Sequence, residues 1–442
     1  MTYEEAREFI SQSNQYGLVP GLETITELLQ QLNNPQEQLK IVHVAGTNGK
    51  GSVCAFLASI LAVAGYRVGR YISPAVYSYR ERIQIAFCND DFIDVECITK
   101  EGVIKTIEQI KPACESMVRD GYPHPTSFEI ETAMTFLYLL WEQVDIVVLE
   151  VGLGGRLDAT NVIKHPAVCV ITSISMDHMQ YLGDTLEKIA SEKAGIIKEG
   201  VPVVTCRQED TVLRVMEQKA GELHAPFSIA DSDNIKKIRY SLNGTEFSYS
   251  YDHKKYDYKI KLMGEYQVTN AFLASQAARI LMQEGYNINE DKIRKGLSIT
   301  VWPGRFEVIS ERPYVIIDGA HNADAALTLR KSIEIYFTNR RIIYIIGVLA
   351  DKDYKSILKI TLPLAEMVIT LTPDNNRALS SAELAKEAGV YCDRVIDAGN
   401  TEQAIRFAYQ EAGENDVIIA FGSLSFLGSL VSTLRLRKDE IK

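Results

Sequence analysis

Apolar runs alternate with amphipathic stretches along the first half of the chain. Five of these runs predict buried strands, at "KIVHVA" (40–45), "RVGRYI" (67–72), "DIVVLEV" (145–151), "AVCVITSI" (167–174) and "VPVVT" (201–205). Helical periodicity predicts the helices between them, at 52–64, about 95–119, 127–142, 185–193 and 209–220. Continuous apolar strands that alternate with helices are typical of a mostly parallel sheet covered on both faces. We therefore predict an α/β fold with a P-loop-type sheet.

In the middle of the chain, the continuous apolar runs give way to alternating polar and apolar residues. The stretch "KIRYSLNGTEFSYSY" (237–251) alternates polar and apolar residues, and its Asn243-Gly244 pair is a type I′ hairpin signal. The stretch "YDYKIKLMG" (256–264) adds a third strand, which predicts a small antiparallel annex, and a helix is predicted at about 268–284. Residues 286–305 are polar and rich in turn formers, which predicts an irregular linker.

A second α/β series follows the linker. Strands are predicted in "YVIIDGAHN" (314–322), "RIIYIIGVL" (341–349), "MVITLT" (367–372) and "DVIIAFGSLS" (416–425). Helices are predicted at 323–337, at 381–388 and at the end of the chain. We therefore predict two domains, residues 1–298 and a Rossmann-like α/β domain over residues 299–442.

Composition and charge restrict the classes of partner. The 442 residues carry a formal net charge of −11, which argues against nucleic acid as a main partner. The seven cysteines are scattered and form no C-x-x-C pair, as expected for reduced thiols in the cytoplasm. The start "MTYEEAREFI" does not resemble a signal peptide, and no apolar run approaches the roughly 18 residues of a membrane helix. We expect a cytoplasmic protein without a membrane partner.

The stretch "IVHVAGTNGKGSVC" (41–54) ends a predicted strand in a glycine-rich turn that opens a helix. Backbone N–H groups at such a turn attract phosphate, and Lys50 could reach the β- and γ-phosphates of a nucleotide. The usual P-loop has Ser or Thr directly after the lysine, but here Gly51 separates Lys50 from Ser52. One extra residue turns the hydroxyl by about 100° around a helix. Another group should then help to hold magnesium, unless the segment is an ordinary glycine-rich turn.

Three downstream residues are candidates for that group. Glu150 ends an apolar strand, where a carboxylate beside a phosphate loop suits Mg²⁺, although a salt-bridged glutamate is the alternative. His178 follows the next strand and could be a metal ligand or a hydrogen-bonded structural residue. A buried Lys193 would have a lowered pKa and could add CO₂ to form a carbamate anion. Spacing alone favours a surface position for Lys193.

Taken together, these segments resemble the folylpolyglutamate synthase/dihydrofolate synthase family of the Mur ligase superfamily. G-K-G-S is that family's own form of the loop. The matching phrases follow the family's order over nearly the whole chain: "HVAGTNGKGS" (43–52), "YISP" (71–74), "RERIQI" (80–85), "PTSFE" (125–129), "LEVGLGGRLDATN" (149–161), "DHMQYLG" (177–183), "EKAGIIK" (192–198), "GEYQVTNA" (264–271), "WPGRFE" (302–307), "DGAHN" (318–322) and "GVLADKD" (347–353).

The resemblance implies an ATP-dependent ligase that adds L-glutamate to a folate or dihydropteroate carboxylate, with an active site between two domains. It implies ATP as a substrate and two Mg²⁺ ions. The implied ATP-binding residues are Gly46, Thr47, Asn48, Gly49, Lys50, Gly51, Ser52, Asn270, Arg305, Asp318 and His321. The implied metal ligands are Ser73, Glu150, His178 and a carbamate on Lys193, and the implied catalytic set is Lys50, Glu150, His178 and Lys193. The implied folate or pteroate pocket comprises Thr126, Phe128, Leu157, Asp158 and Ala159.

Two departures concern the substrate. Ala75 follows Pro74 where the family often has histidine, and Thr24 replaces the arginine of a common "GLER" phrase. "GLGGRLDATN" resembles the versions in which one enzyme adds both the first and the later glutamates, so we expect a bifunctional enzyme. Separately, we expect a monomer. A muramyl-peptide ligase is the main alternative, although only about forty residues precede the loop. A non-catalytic ATP-binding protein on this scaffold and a generic P-loop kinase are the others.

Overall fold

A computed structural model describes residues 1–17, 21–89, 92–251 and 254–440. The first sheet and its helices take up roughly the first half of the chain. Their order is α1 (Tyr3–Gln12), α2 (Glu23–Gln31), β1 (Ile41–Ala45), α3 (Lys50–Val63), β2 (Val68–Tyr71), β3 (Ile83–Asn89), β4 (Phe92–Cys97), α4 (Lys100–Arg119), α5 (Ser127–Trp141), β5 (Ile146–Glu150), β6 (Val168–Ile171), α6 (Met179–Leu182), α7 (Leu186–Ala194), β7 (Val203–Cys206), α8 (Asp210–Glu222) and β8 (Phe227–Ala230).

These strands form one eight-stranded sheet in the order β4-β3-β2-β5-β1-β6-β7-β8. The six strands from β2 to β8 in this order pair in parallel, whereas β3 and β4 pair antiparallel at one edge. All five predicted strands are therefore confirmed. Because successive side chains of a strand point to opposite faces, Val42 and Val44 of β1 enter one apolar core and Ile41 enters the other.

The helix predicted at 95–119 begins too early. Residues 92–97 form the edge strand β4, and α4 starts at Lys100, where the Thr99 side chain accepts a hydrogen bond from the Gly102 N–H at 2.8 Å. The strand β4 escaped prediction because it is an edge strand with exposed or half-buried side chains. Such a strand lacks the apolar run that marks a buried one.

The annex is present as three antiparallel strands, β9 (Ile235–Ser241), β10 (Gly244–Tyr251) and β11 (Lys254–Ile260). The hairpin is confirmed, but its predicted turn type is wrong. Ser241 pairs with Gly244, so the turn residues are Leu242 and Asn243, and positive φ occurs only at Gly244 (116°) among these residues. A type I′ turn requires positive φ at both central residues.

Two helices follow the annex, α9 (Tyr266–Gln283) and α10 (Glu290–Ile299). The helix predicted at 268–284 is confirmed as α9, but the irregular linker predicted at 286–305 is wrong because α10 occupies half of it. Gly296 lies where α10 crosses α3, and a Cβ there would be 2.5 Å from the Ile60 Cα. The glycine therefore permits a close helix–helix contact.

The rest of the chain forms a six-stranded sheet in the order β12-β13-β17-β14-β15-β16, parallel except for β12. The predicted strands and helices are confirmed, and β12, β16, α12 and α14 are additional. The order is β12 (Glu307–Glu311), β13 (Tyr314–Ile317), α11 (Ala323–Tyr336), β14 (Ile342–Ile346), α12 (Tyr354–Thr361), β15 (Met367–Leu371), α13 (Ser381–Ala388), β16 (Val395–Gly399), α14 (Thr401–Glu411), β17 (Val417–Phe421) and α15 (Leu424–Glu440). Over the described ranges, no helix has the length and apolar character needed to cross a membrane.

Candidate active site

The glycine-rich loop connects β1 to α3 at the centre of the first sheet. Gly49 precedes the helix with a φ of 89°, a conformation that favours glycine. A Cβ on Gly49 would lie 2.4 Å from the Asn270 Oδ1, so the loop is packed closely against α9. The Lys50 Nζ folds back over the loop and donates to the carbonyl oxygens of Gly46 and Thr47, each at 3.2 Å. Loop amides, a helix N-terminus and a cation therefore face one space, as anion binding requires.

The extra glycine of the loop has a steric reason. A Cβ on Gly51 would lie 2.8 Å from the Trp302 Cζ2, so only glycine leaves room for the indole ring. Ser52 follows with 1% of its surface exposed, and its Oγ accepts a hydrogen bond from the Gln267 Nε2 at 3.2 Å. The hydroxyl of this loop is thus engaged by α9.

Glu150 is the last residue of β5 and lies beside Val44 of β1. Its side chain is buried, and burial raises the pKa of its carboxyl while the nearby Lys50 and Arg305 oppose that shift. Among the described residues, the hydrogen bond recorded to this carboxylate comes from the Ser73 N–H at 3.4 Å. A buried carboxylate that is so weakly hydrogen-bonded is suited to a cation.

Lys193 is buried, with 4% of its surface exposed, near the end of α7. The surface position that spacing favoured is therefore wrong. Its Nζ donates to the Gly46 carbonyl oxygen at 2.8 Å and so contacts the phosphate loop directly. Burial, reinforced by the charge of Lys50, lowers the pKa of Lys193 to about 7. The neutral, nucleophilic form of this amine is therefore accessible at neutral pH.

A cluster of charged side chains surrounds His178, which directly precedes α6 and has a φ of 50°. The Lys352 Nζ donates to the Asp177 Oδ1 at 2.6 Å and lies 3.4 Å from the His178 Nε2, and the His321 Nε2 lies 3.6 Å from the Asp177 Oδ2. Burial opposes ionisation of Asp177, but the hydrogen bond to His321 and the charge of Lys352 help to outweigh burial and lower its pKa. Burial lowers the pKa of His178 to about 4, so its imidazole is neutral at pH 7.

The C-terminal sheet supplies the opposite wall. Asp318 follows β13, and its carboxylate accepts hydrogen bonds from the Ala320 N–H at 2.8 Å, the Phe306 N–H at 2.9 Å and the Tyr266 hydroxyl at 2.9 Å. Burial raises the pKa of Asp318, and Arg305 opposes that shift. Asp318 thereby connects α9, the segment between α10 and β12, and the second sheet.

The phosphate loop also contacts the N-terminus of α11. The Asn48 Nδ2 donates to the Asp324 Oδ2 at 2.8 Å, and the Asn322 Nδ2 donates to the Asn48 Oδ1 at 3.2 Å. Sequence reasoning assigned no role to Asn322, Asp324, Asp177 or Lys352. Three of them were within its reach, because Asp177 precedes His178, Asn322 ends the quoted phrase "DGAHN" and Lys352 lies in the quoted phrase "GVLADKD".

The two walls enclose a polar cleft of about 200 Å³. The predicted residues that line it are Gly46, Thr47, Asn48, Gly49, Lys50, Gly51, Ser52, Ser73, Glu150, His178, Lys193, Asn270, Arg305, Asp318 and His321. A second cavity of about 640 Å³ adjoins the cleft and shares Ser73, His178 and His321 with it. Its wall includes the five predicted folate-side residues, Thr126, Phe128, Leu157, Asp158 and Ala159. The structure thus brings every predicted site residue to two adjoining spaces.

Local hydrogen bonds hold the wall of the larger cavity. The Thr126 side chain caps α5 and pairs with Glu129 in a capping box. The Asp158 carboxylate accepts hydrogen bonds from the Leu153 N–H at 2.8 Å and from the Thr160 hydroxyl at 2.6 Å. The Phe128 ring lies so close to the following loop that a Cβ on Gly152 would be 2.4 Å from its Cζ. These contacts make the wall a preformed surface of the cavity.

Within the part of the chain that is described, no group of three or more His, Cys, Asp and Glu side chains is arranged to hold a metal ion. The predicted ligand set is of another kind, because it combines Glu150 and His178 with the Ser73 hydroxyl and a modified Lys193. The weakly hydrogen-bonded carboxylate of Glu150 and the neutral imidazole of His178 fit that set.

Comparison with known proteins gives consistent matches over the chain. Residues 44–278 match the Mur ligase middle domain, and residues 304–424 match the Mur ligase, glutamate ligase domain. A Bacillus subtilis (strain 168) protein named dihydrofolate synthase/folylpolyglutamate synthase is 36% identical over 437 residues, which span 98% of this chain and 99% of that protein.

Solved structures agree with these matches. The crystal structure of Mycobacterium tuberculosis folylpolyglutamate synthase complexed with ADP and AMPPCP has a TM-score of 0.86 at 30% identity, covering 97% of each chain. The structure of E. coli FolC in complex with DHPP and ADP has a TM-score of 0.84 at 28% identity, covering 98% of each chain.

Proposed function

The chain belongs to the folylpolyglutamate synthase/dihydrofolate synthase family of ATP-dependent ligases, and we propose that it carries out both of the reactions in that name. The first adds L-glutamate to the carboxylate of dihydropteroate, and the second adds further glutamates to a folate through γ-linkages. One observation supports this proposal above the others. The polar cleft that contains the phosphate loop adjoins a cavity of about 640 Å³, within the size range of small-molecule sites.

The chemistry needs ATP because a carboxylate is a poor acyl donor. Its negative charge repels nucleophiles, and oxide is a very poor leaving group. An oxygen of the substrate carboxylate attacks the γ-phosphorus, ADP departs, and an acyl phosphate forms. The amine of L-glutamate then attacks the acyl carbon, loses a proton and expels inorganic phosphate, which leaves an amide.

The phosphate loop and Lys50 hold the phosphates in this scheme. The loop amides bind the phosphate oxygens, and Lys50 exchanges its contacts with the Gly46 and Thr47 carbonyls for the transferring phosphoryl group. Arg305 approaches from the linker and adds a second cation. Asn270, packed against Gly49, fixes the loop and lines the nucleotide side of the cleft.

Ser73, Glu150, His178 and carbamylated Lys193 would hold two Mg²⁺ ions. The ions, when bound, neutralise charge on the phosphoryl and carboxylate oxygens. Lys193 meets the requirement for carbamate formation, because a pKa of about 7 leaves a neutral amine that attacks CO₂ and releases one proton. The product turns a buried cation into an anion, which would relieve its repulsion with Lys50.

Closure of two domains, residues 1–298 and 299–442, would complete the site. Two contacts across the cleft favour the closed arrangement, the ion pair of Asp177 with Lys352 and the hydrogen bond of Asn48 with Asp324. His321 and Asp318 reach the phosphate region only from the C-terminal side. Opening and closing would therefore control substrate entry and product release.

Several expectations about the cellular setting belong to the same proposal. The seven free cysteines suit a cytoplasmic enzyme. We also expect a monomer. Small-molecule substrates are sufficient for the reaction, so we propose neither a nucleic-acid partner nor a membrane partner.

A glutamate-dependent ADP-release assay with separate acceptors tests the proposal. We expect turnover with dihydropteroate and with tetrahydrofolate, each dependent on both ATP and L-glutamate. Turnover with only one of the two acceptors would contradict bifunctionality. Turnover with a UDP-muramyl peptide would favour a muramyl-peptide ligase, and ATP binding without glutamate-dependent ADP release would favour a non-catalytic protein.

A further inference from the structure

Tyr181 is an exposed aromatic residue at the larger cavity. It lies on the short helix α6, lines the cavity and has 53% of its surface exposed. Within the described ranges, no aromatic ring stacks on it and no cation lies over its face. An exposed, unpaired ring at the wall of a ligand cavity has a free face to offer a flat ligand.

The position of Tyr181 relative to His178 defines which part of a ligand it can meet. Tyr181 follows His178 by three residues, and its N–H donates to the His178 carbonyl oxygen at 2.9 Å. This hydrogen bond closes a turn that keeps the two residues close together. His178 lines both cavities, whereas Tyr181 lines only the larger one. A group bonded to a carboxylate that reacts beside His178 would therefore lie beside Tyr181.

Dihydropteroate and a folate differ in the group that is bonded to the reacting carboxylate. In dihydropteroate the reacting carboxylate is bonded directly to a benzoyl ring. In a folate that is extended through its γ-carboxylate, the neighbouring atoms are the methylene groups of a glutamyl side chain. An aromatic ring gains a specific stacking interaction with tyrosine, whereas two methylene groups gain only ordinary apolar contact.

We propose that Tyr181 is a specificity-determining residue that stacks on the benzoyl ring of dihydropteroate and so favours addition of the first glutamate. This inference rests on the proposed function. Phe128 and Leu157 add apolar lining to the same cavity, and the buried Leu182 beside Tyr181 adds more. The ring of the acceptor would thus meet apolar side chains as well as Tyr181.

Steady-state kinetics with both acceptors test this assignment. Tyr181→Ala should raise the KM for dihydropteroate about tenfold, the equivalent of one stacked aromatic pair. The KM for tetrahydrofolate should change less than about twofold by the same reasoning. The kcat values and the KM for ATP should stay close to wild type, because Tyr181 does not line the phosphate cleft. Tyr181→Phe should behave as wild type, and Tyr181→Leu should resemble Tyr181→Ala.

Met179→Ala is the matched control, since Met179 lies on the same helix with 52% exposure and does not line the cavity. It should leave both KM values unchanged. The inference is overturned if Tyr181→Ala leaves the KM for dihydropteroate unchanged, or raises both KM values equally, while the wild type uses both acceptors. If the wild type itself fails to use dihydropteroate, the proposed bifunctionality fails and the inference fails with it.

Discussion

Replacing Gly51 with serine would restore the usual P-loop spacing, in which a hydroxyl follows the lysine directly. We predict that Gly51→Ser nevertheless lowers the free energy of unfolding. The new Cβ would lie 2.8 Å from the Trp302 Cζ2, and that indole is held in place, 6% exposed, under the Arg70 guanidinium. Overpacking of this kind costs about 1–3 kcal/mol. The higher helix propensity of serine returns about 0.5 kcal/mol.

The net expected loss is therefore about 0.5–2.5 kcal/mol in the free energy of unfolding. Urea unfolding measures this loss, and titration with ATP measures the accompanying loss of affinity if the strain displaces the loop. Gly221→Ser is the matched control, because Gly221 also lies in a helix, α8, and a Cβ added there would meet no other atom within 4 Å. The control should be neutral or slightly stabilising.

A double-mutant cycle identifies the cause of the loss. In a Trp302→Leu background the ring that opposes position 51 is absent, so Gly51→Ser should cost clearly less than in the wild type. An equal cost in both backgrounds would refute the steric explanation. So would a Gly51→Ser variant that is as harmless as Gly221→Ser.

Three further substitutions test the cleft. Lys50→Ala should raise the ATP concentration needed for half-maximal turnover, and an unchanged ATP titration would contradict the phosphate-loop assignment. Glu150→Ala should lose Mg²⁺-dependent turnover while urea unfolding shows an intact fold, and a wild-type magnesium titration would rule out its role as a ligand. Lys193→Ala should lose nearly all turnover, with partial recovery in short carboxylates, and full activity without them would exclude the carbamate. Because the pKa of Lys193 is lowered to about 7, the neutral amine is lost as pH falls through 7, so wild-type turnover at limiting CO₂ should decline there.

The strands predicted correctly are those whose burial can be recognised from the apolar character of their own residues. β1 and β5 are apolar throughout apart from His43 and the terminal Glu150, and the five residues of each are buried on both faces. Their boundaries therefore follow from composition alone. β4 and α10 were missed because their own residues carry no clear pattern. Each is stabilised by a neighbouring element, β4 by pairing with β3 and α10 by packing against α3.

In the candidate site, too, local features could be predicted from the sequence and features that depend on long-range contacts could not. The phosphate loop is a local motif, and its glycines and lysine could be identified from residues 46–52 alone. The burial of Lys193 depends on α7 packing against that loop, through a contact between residues 147 positions apart, which no local pattern encodes. The ion pair of Asp177 with Lys352 joins residues 175 positions apart and depends equally on the fold.

The central claim is that the cleft activates a substrate carboxylate by transferring the γ-phosphoryl group of ATP to it. Dihydropteroate labelled with ¹⁸O in its carboxylate, together with ATP and L-glutamate, tests this directly by mass spectrometry of the released phosphate. An acyl phosphate places one carboxylate oxygen on phosphorus, so each turnover should yield inorganic phosphate that carries one ¹⁸O atom. Release of unlabelled phosphate at the rate of amide formation would contradict the account.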